Sequence, residues 1–149
     1  MLMLISDTGG GHRASAQAVE AMIKKHRSDI DISVVDIFTD YGRFPMDNFV
    51  RDYTFLAKHP QLWKISWHFT AMPGLKQTWD VVTRVSCYNQ FRKCMIDYDP
   101  DMVVSLHPLT QDLPMAVLKG LAKEGQRSVP FATVVTDLGS AHPTWFNKG

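Results

Sequence analysis

Three short polar segments of this sequence carry side chains that could do chemistry. In the first, at residues 6–12, an aspartate and a threonine precede three glycines, and His12 follows them directly. Backbone N–H groups of a glycine turn at a helix start can approach an anion closely, and the helix dipole favours negative charge there. An imidazole titrates near neutral pH and can take a proton from a hydroxyl group. The segment therefore predicts a general base at His12 beside an anion-binding loop made of Gly9, Gly10 and Gly11.

The glycine loop departs from two well-known phosphate-binding patterns. It lacks the Gly-Lys-Ser/Thr of a Walker A loop, and Ala14 stands where a dinucleotide fingerprint has its third glycine. Such a fingerprint also needs a ribose-binding acid, for which Asp36 is the candidate. Arg13 is a candidate to stabilise a diphosphate together with the loop. A tight turn without a ligand, in which His12 only braces the loop, is the alternative.

The second and third segments add polar groups farther along the chain. The second contains His107, and the third contains Asp137, His142 and Trp145. Asp137 could orient His12, as carboxylates orient catalytic histidines, or could cap the turn that follows it. Both His107 and His142 precede a proline, which holds them extended, and structural roles are favoured for them. No zinc-ligand spacing occurs, so no metal site is expected.

The predicted secondary structure would bring these segments to one edge of a sheet. Strands are predicted at residues 1–6, 32–38, 102–106 and 131–135. Helices are predicted at residues 12–26 and 109–121. This alternation is typical of a doubly wound α/β domain with a parallel sheet, in which ligands bind outside the carboxyl ends of the strands.

A long insertion at residues 39–98 separates the second predicted strand from the third. It contains two helical patterns that divide at residues 72–74, and its aromatic residues alternate with lysines and histidines. Tryptophan with lysine at short spacing is typical of a segment that lies at lipid headgroup depth. We therefore predict membrane contact through residues 62–79, including Trp63 and Trp67. A helical lid packed on the sheet is the alternative.

Composition indicates one globular domain over residues 1–149. The chain is 45% hydrophobic and 21% charged, and 16 Lys and Arg against 15 Asp and Glu give a net charge of +1, which argues against nucleic-acid binding. It has no apolar run of about 20 residues and no signal-peptide pattern, so neither a transmembrane helix nor a recognisable targeting signal is expected. Cys87 and Cys94 are predicted to be reduced core thiols.

Three motifs carry a resemblance to a known family. They are SDTGGGHRASA at residues 6–16, SLHP at 105–108, and VVTDL at 134–138 followed by HPTWF at 142–146. In this order they closely resemble the N-terminal domain of monogalactosyldiacylglycerol synthases, and the resemblance covers nearly the whole chain. It is closer to the plant and algal plastid enzymes than to the bacterial glucosyl-diacylglycerol or undecaprenyl-lipid relatives.

The resemblance implies the Rossmann-like N-terminal half of a GT-B glycosyltransferase. This half would bind the acceptor diacylglycerol, while a C-terminal domain would hold UDP-galactose, and monogalactosyldiacylglycerol would form with inversion and without a cofactor. His12 matches the family's proposed catalytic base. Pro45 and Trp145 match positions implicated in activation by anionic phospholipid. The implied location is the plastid (chloroplast) envelope, with peripheral membrane association.

The resemblance also implies that the chain is a fragment that begins inside the first strand, lacks a transit peptide and is inactive without the donor domain. Inverting transfer needs one base for the acceptor hydroxyl and a positive group for the departing diphosphate, which His12 and the glycine loop with Arg13 could supply. Three alternatives stay open: a lipid-binding module without chemistry, a glucosyl-diacylglycerol synthase, and half of a dinucleotide-dependent oxidoreductase. The broken fingerprint disfavours the last of these.

Overall fold

The structure, a computed structural model, describes residues 1–137, 139 and 143–146. Its elements, in chain order, are β1 (Leu2–Ile5), α1 (Gly10–His26), β2 (Ser33–Asp36), α2 (Ile37–Tyr41), α3 (Phe49–Ala57), α4 (Pro60–Ala71), α5 (Pro73–Tyr98), β3 (Val103–Ser105), α6 (Asp112–Lys123) and β4 (Phe131–Thr133). Short 3-10 turns follow β3 at Pro108–Thr110 and lie at Pro143–Trp145. The α/β fold predicted from the sequence is confirmed.

In the described part of the chain, the sheet has four parallel strands in the order β2-β1-β3-β4. Leu2 in β1 pairs with Ser33 on one side and with Val103 on the other. The chain therefore leaves β1 in one direction to form β2 and returns on the opposite side to form β3. Such a reversal opens a crevice at the carboxyl ends of the two central strands, which is where ligands of open α/β sheets bind.

The core lies on both faces of the sheet because alternate residues of β1 point to opposite sides. Leu2 and Leu4 are buried with Phe91 of α5 and Val117 of α6 on one face. On the other face, Met3 and Ile5 are buried against α1 and its Ala16. The sheet is thus covered on both sides, which explains why β1 is apolar at every position.

The second strand ends earlier than predicted because a helix cap intervenes. Strand β2 ends at Asp36, whose Oδ1 accepts hydrogen bonds from the backbone N–H groups of Phe38 (3.2 Å) and Thr39 (3.1 Å). This side chain satisfies the first free N–H groups of α2, so the apolar pair Ile37 and Phe38 is helical and buried. The predicted strand over residues 32–38 was wrong at its carboxyl end.

Residues 39–98 are largely helical, and they contain more helices than the two patterns predicted. The predicted break at residues 72–74 is confirmed, since α4 ends at Ala71 and α5 starts at Pro73, a residue that fits the first turn of a helix. In the described part of the chain, none of the helices is both long enough and apolar enough to cross a membrane.

The two cysteines lie in α5, on the side that packs into the core. Both are buried and free, as predicted. Burial raises the pKa of Cys94 to about 12, and nearby carboxylates add to the shift. Both thiols are therefore apolar packing groups.

Candidate functional site

The carboxyl ends of three strands bring the predicted segments into contact. His12 lies in the first turn of α1, directly after the β1 loop. Its Nδ1 lies 2.9 Å from the carbonyl oxygen of Leu106, after β3, and 2.9 Å from Oγ1 of Thr136, after β4. The prediction that these segments meet at one sheet edge is confirmed, and they meet at the switch point between β1 and β3.

These contacts define which nitrogen of His12 can act as a base. A carbonyl oxygen only accepts hydrogen bonds, so Nδ1 must carry the proton that is donated to Leu106. In the neutral ring the lone pair is then on Nε2, and no hydrogen bond to Nε2 is found among the described residues. The ring is partly exposed at the crevice. His12 is therefore held in the tautomer that a general base needs.

The glycine loop has the backbone geometry that only glycine adopts readily. Gly9, the residue before α1, has φ 84° and ψ 153°. In the described part of the chain, no side chain caps the start of α1 and no acidic residue lies in its first turn. A Cβ added at Gly9 or at Gly11 would meet no atom within 4 Å, so open space lies over the loop. The first N–H groups of the helix can thus face an anion.

Arg13 is held by an acidic partner from the same loop. Its Nε and Nη2 donate to the two carboxylate oxygens of Asp7 at 2.7 and 2.6 Å, and this pairing raises the pKa of Arg13. The charge of Arg13 is therefore balanced in this structure. The predicted contact of Arg13 with a diphosphate requires the ligand to share the guanidinium with Asp7.

Asp36 cannot serve as a free ribose-binding acid in this arrangement. Besides capping α2, its Oδ2 accepts from the hydroxyl of Thr39 at 2.7 Å and from the backbone N–H of Asp7 at 3.1 Å. Both carboxylate oxygens already have two protein donors each. Because Asp36 was the candidate ribose-binding acid, its use as a helix cap argues against the oxidoreductase hypothesis.

Asp137 does not orient His12 as predicted. Its exposed carboxylate accepts a hydrogen bond from Nε1 of Trp145 at 2.8 Å. The groups that hold His12 are instead a backbone carbonyl and Thr136, which the sequence reasoning missed. Thr136 stands next to Asp137 at a predicted strand end, so its position was a signal, whereas the Leu106 carbonyl has no side-chain signature.

His107 is buried beside His12, with a relative exposure of 4%. The two ring centroids are 4.6 Å apart and the rings meet edge to face. Burial lowers the pKa of His107 well below its ordinary value, and the neighbouring His12 ring lowers it further. The other histidine predicted near this edge, His142, lies outside the described residues.

The residues predicted to contact lipid are in different environments. Trp145 is 3% exposed, and its ring centroid lies 6.4 Å from that of His12. Its side chain is therefore packed inside the protein and does not face a membrane, contrary to the prediction of lipid contact. Trp63 is half-buried and packs edge to face on Tyr53 with centroids 5.0 Å apart. Trp67 lies in α4, and its side chain is outside the described part of the structure. Pro45 is half-buried.

Exposed apolar side chains do occur on the insertion, at other positions. Within the described residues they include Phe55 (56%) in α3 and Leu62 (44%) and Ile65 (64%) in α4. Exposed Lys58 and Lys64 lie in the same stretch of chain. We call these five residues the insertion patch. No group of three His, Cys, Asp or Glu side chains that could hold a metal is found in the described ranges.

The fold and the site together define a Rossmann-like α/β domain of the kind that forms half of a GT-B glycosyltransferase, with a histidine and a glycine loop at the switch point. The family model for monogalactosyldiacylglycerol (MGDG) synthase matches residues 12–149. The chain therefore belongs to the monogalactosyldiacylglycerol synthase family.

Similar proteins from plants cover the whole of this chain. A probable monogalactosyldiacylglycerol synthase, chloroplastic, from Glycine max is 40% identical over 99% of the chain. Monogalactosyldiacylglycerol synthases 1 and 2, chloroplastic, from Arabidopsis thaliana are 39% and 38% identical over 99% and 100% of it. The chain spans 28% of the length of the Glycine max protein and 28% and 32% of the two Arabidopsis proteins.

Proposed function

We propose that this chain is the acceptor-side half of an inverting galactosyltransferase, which transfers galactose from UDP-galactose to diacylglycerol. The observation that carries the proposal is the state of His12, whose Nδ1–H is bound to the Leu106 carbonyl while Nε2 is left for a substrate. Membership of the family supports the choice of sugar and acceptor. The relatives' names place them in the chloroplast, and we extend a peripheral location at the plastid envelope to this protein.

The chemistry follows from these groups. Nε2 of His12 takes the proton of the diacylglycerol hydroxyl as its oxygen attacks the anomeric carbon of galactose. The bond from that carbon to the diphosphate breaks on the opposite face, and UDP leaves with the electron pair, which inverts the anomeric configuration. The N–H groups at the start of α1 stabilise the negative charge on the acceptor side of the crevice. A C-terminal domain supplies the rest of the UDP-galactose site, and no cofactor is required.

We further propose that the insertion patch places the crevice at an anionic membrane. Diacylglycerol presents its hydroxyl at the bilayer interface, so the enzyme must reach it there. Exposed aromatic and aliphatic side chains beside lysines favour binding at headgroup depth. This assignment replaces Trp63 and Trp145, which are packed against protein, with Phe55, Leu62 and Ile65.

The full-length gene product tests the proposal in vesicles that contain diacylglycerol and anionic phospholipid. UDP-galactose and UDP-glucose are supplied separately, and the product's anomeric configuration is read from its proton coupling. We expect β-linked galactolipid from UDP-galactose. Transfer from UDP-glucose alone would make the protein a glucosyl-diacylglycerol synthase, and vesicle binding without any transfer would make it a lipid-binding module.

A further inference from the structure

His107 is a buried histidine that the proposed mechanism does not use. Its Nε2 lies 2.9 Å from Oγ1 of Thr8, and both residues are only 4% exposed. Its Nδ1 accepts a hydrogen bond from the backbone N–H of Leu109 at 3.2 Å. Because Nδ1 accepts, the neutral ring carries its proton on Nε2 and donates it to Thr8. The ring is thus fixed in one tautomer, and burial keeps it neutral.

This bond anchors the glycine loop on the side opposite to His12. Thr8 is the last side chain before the three glycines, and His12 is the first after them. Glycine restrains the backbone less than any other residue, so a loop of three needs fixed ends to present one geometry. Two neighbouring residues at the end of β3 hold those ends: His107 binds Thr8, and the Leu106 carbonyl binds His12.

The His107 ring also supports the His12 ring by direct contact. The His12 ring meets it edge to face at 4.6 Å. The centroids of Phe38 and Phe49 lie 6.4 Å from its centroid. Phe38, Phe49 and the bond to Thr8 leave the His107 ring little room to turn. A histidine held in this way can transmit its own fixed position to a neighbouring ring.

We propose that His107 and Thr8 form a positioning pair, which holds the glycine loop and His12 in the geometry for proton transfer. The inference rests on the proposed function for its kinetic readout, and on the hydrogen-bond geometry alone for its structural readout. The pair does not touch the reacting atoms, so it acts only through His12 and the loop.

Two substitutions of His107 separate positioning from simple stability. In His107→Asn the side-chain oxygen takes the place of Nδ1, which keeps the bond from Leu109 and loses the donor to Thr8. In His107→Gln the amide nitrogen takes the place of Nε2, which keeps the donor and loses the bond from Leu109. Positioning predicts that the Gln variant is the more active of the two, whichever variant is the more stable.

Kinetics of the full-length gene product give the first readout. We expect His107→Asn and Thr8→Val each to lower kcat by about 10- to 100-fold, as a displaced base does, with a smaller change in KM for UDP-galactose because the loop supplies only one side of the proposed diphosphate site. The double variant should lose no more than either single one, because both remove the same bond. His26→Asn, at an exposed position at the end of α1, is the control and should keep the parent kcat.

The tautomers of histidines labelled with ¹⁵N give the second readout on the same protein. We expect His12 to change from a single Nδ1–H form to a mixture in His107→Asn and Thr8→Val, and to keep the single form in His107→Gln and His26→Asn. Parent-like kcat and an unchanged His12 form in His107→Asn would overturn the inference, as would activity that only follows stability. If the parent protein transfers no galactose, the proposed function fails, and the His12 tautomers alone support or overturn the pair.

Discussion

At the residue scale, His12 is the side chain on which the proposed chemistry depends. Replacing it with alanine removes Nε2 and leaves the acceptor hydroxyl without a base. We expect His12→Ala in the full-length gene product to lower kcat by about 10²–10⁴-fold, the usual contribution of a general base. The melting temperature should change little, because the ring is partly exposed. Parent-like turnover by a folded His12→Ala protein would remove the base assignment.

Gly9 and Gly11 form a matched pair for testing the loop's backbone. Gly9 has φ 84° and ψ 153°, a region that is essentially reserved for glycine, so Gly9→Ala should lower the free energy of unfolding by about 1–3 kcal/mol. Gly11 lies inside α1, has no positive φ and has open space at its Cβ position. Gly11→Ala should therefore leave stability unchanged or raise it by up to about 1 kcal/mol. Urea denaturation of both variants measures the difference.

The Gly11→Ala variant also tests whether the loop binds a substrate. If a substrate approaches the backbone closely, a methyl group at Gly11 occupies the ligand's space although it harms no protein contact. We expect Gly11→Ala to lower kcat/KM of the full-length protein while its stability is kept. A Gly11→Ala protein with the parent kcat/KM would mean that the loop is only a tight turn.

At the element scale, α5 carries Cys94 and contacts Tyr41 at the end of α2 through Asp97, and the pKa of both Cys94 and Tyr41 is raised in the folded protein. Burial raises the pKa of Cys94 to about 12, and burial together with the neighbouring Cys94 and Asp97 raises the pKa of Tyr41 to about 12. Their ordinary values are about 8.5 and 10. Above these ordinary values the unfolded chain loses protons that the folded chain retains.

The sign of the pH dependence follows from this difference. The stabilisation is fully present below about pH 8.5 and is lost as the pH rises toward 12, because the unfolded state then binds fewer protons. We expect the free energy of unfolding to fall between pH 9 and pH 11, and to fall less steeply in Cys94→Ala. Denaturant titrations at several pH values measure both slopes. Equal slopes for the two proteins would show that Cys94 does not remain protonated in the folded state.

At the scale of the whole molecule, the proposed membrane contact assigns to the insertion patch the place where the protein meets its acceptor. Ile65 (64% exposed) in α4 and Met22 (57% exposed) in α1 are apolar side chains of similar exposure on different parts of the molecule. We expect Ile65→Ser to weaken binding to anionic vesicles about tenfold, since burying part of such a side chain contributes about 1–2 kcal/mol. Met22→Ser is the control and should bind as the parent does.

Vesicle co-sedimentation with and without anionic lipid measures this binding. The lysines of the patch predict weaker binding without anionic lipid. Trp63→Ala should instead lower stability, because Trp63 packs on Tyr53. Equal losses for Ile65→Ser and Met22→Ser would place the membrane contact elsewhere on the protein.

The division of the substrate sites between two domains gives a further prediction for residues 1–149 alone. In the proposed function, the glycine loop supplies one side of the diphosphate site and a donor domain supplies the rest. We expect calorimetry with this 149-residue chain to detect no micromolar binding of UDP. Micromolar affinity would mean that the donor site lies in this half.

Local signals in the sequence determined the strand, glycine loop and helix that carry His12. An apolar run followed by three glycines and a helical pattern is compatible with few structures other than a strand, a loop and a helix. The same reasoning predicted the later strands and the buried cysteines. It was wrong at Ile37 and Phe38, whose β propensity was overridden by the cap that Asp36 provides. Short-range patterns report what a segment prefers, and a cap made by its neighbour can change the outcome.

Only the tertiary structure decided which groups contact one another at the site. The position of Asp137 at a strand end made it a candidate partner of His12, and the family resemblance implied a lipid-related role for Trp145, yet these two bind each other, and Trp145 is buried. One of the two groups that hold His12 is the Leu106 carbonyl, about ninety residues away in the chain, and every residue has such a carbonyl. Sequence determined the residues that reach the sheet edge, whereas their partners depend on strand order, because the order β2-β1-β3-β4 places β3 next to β1.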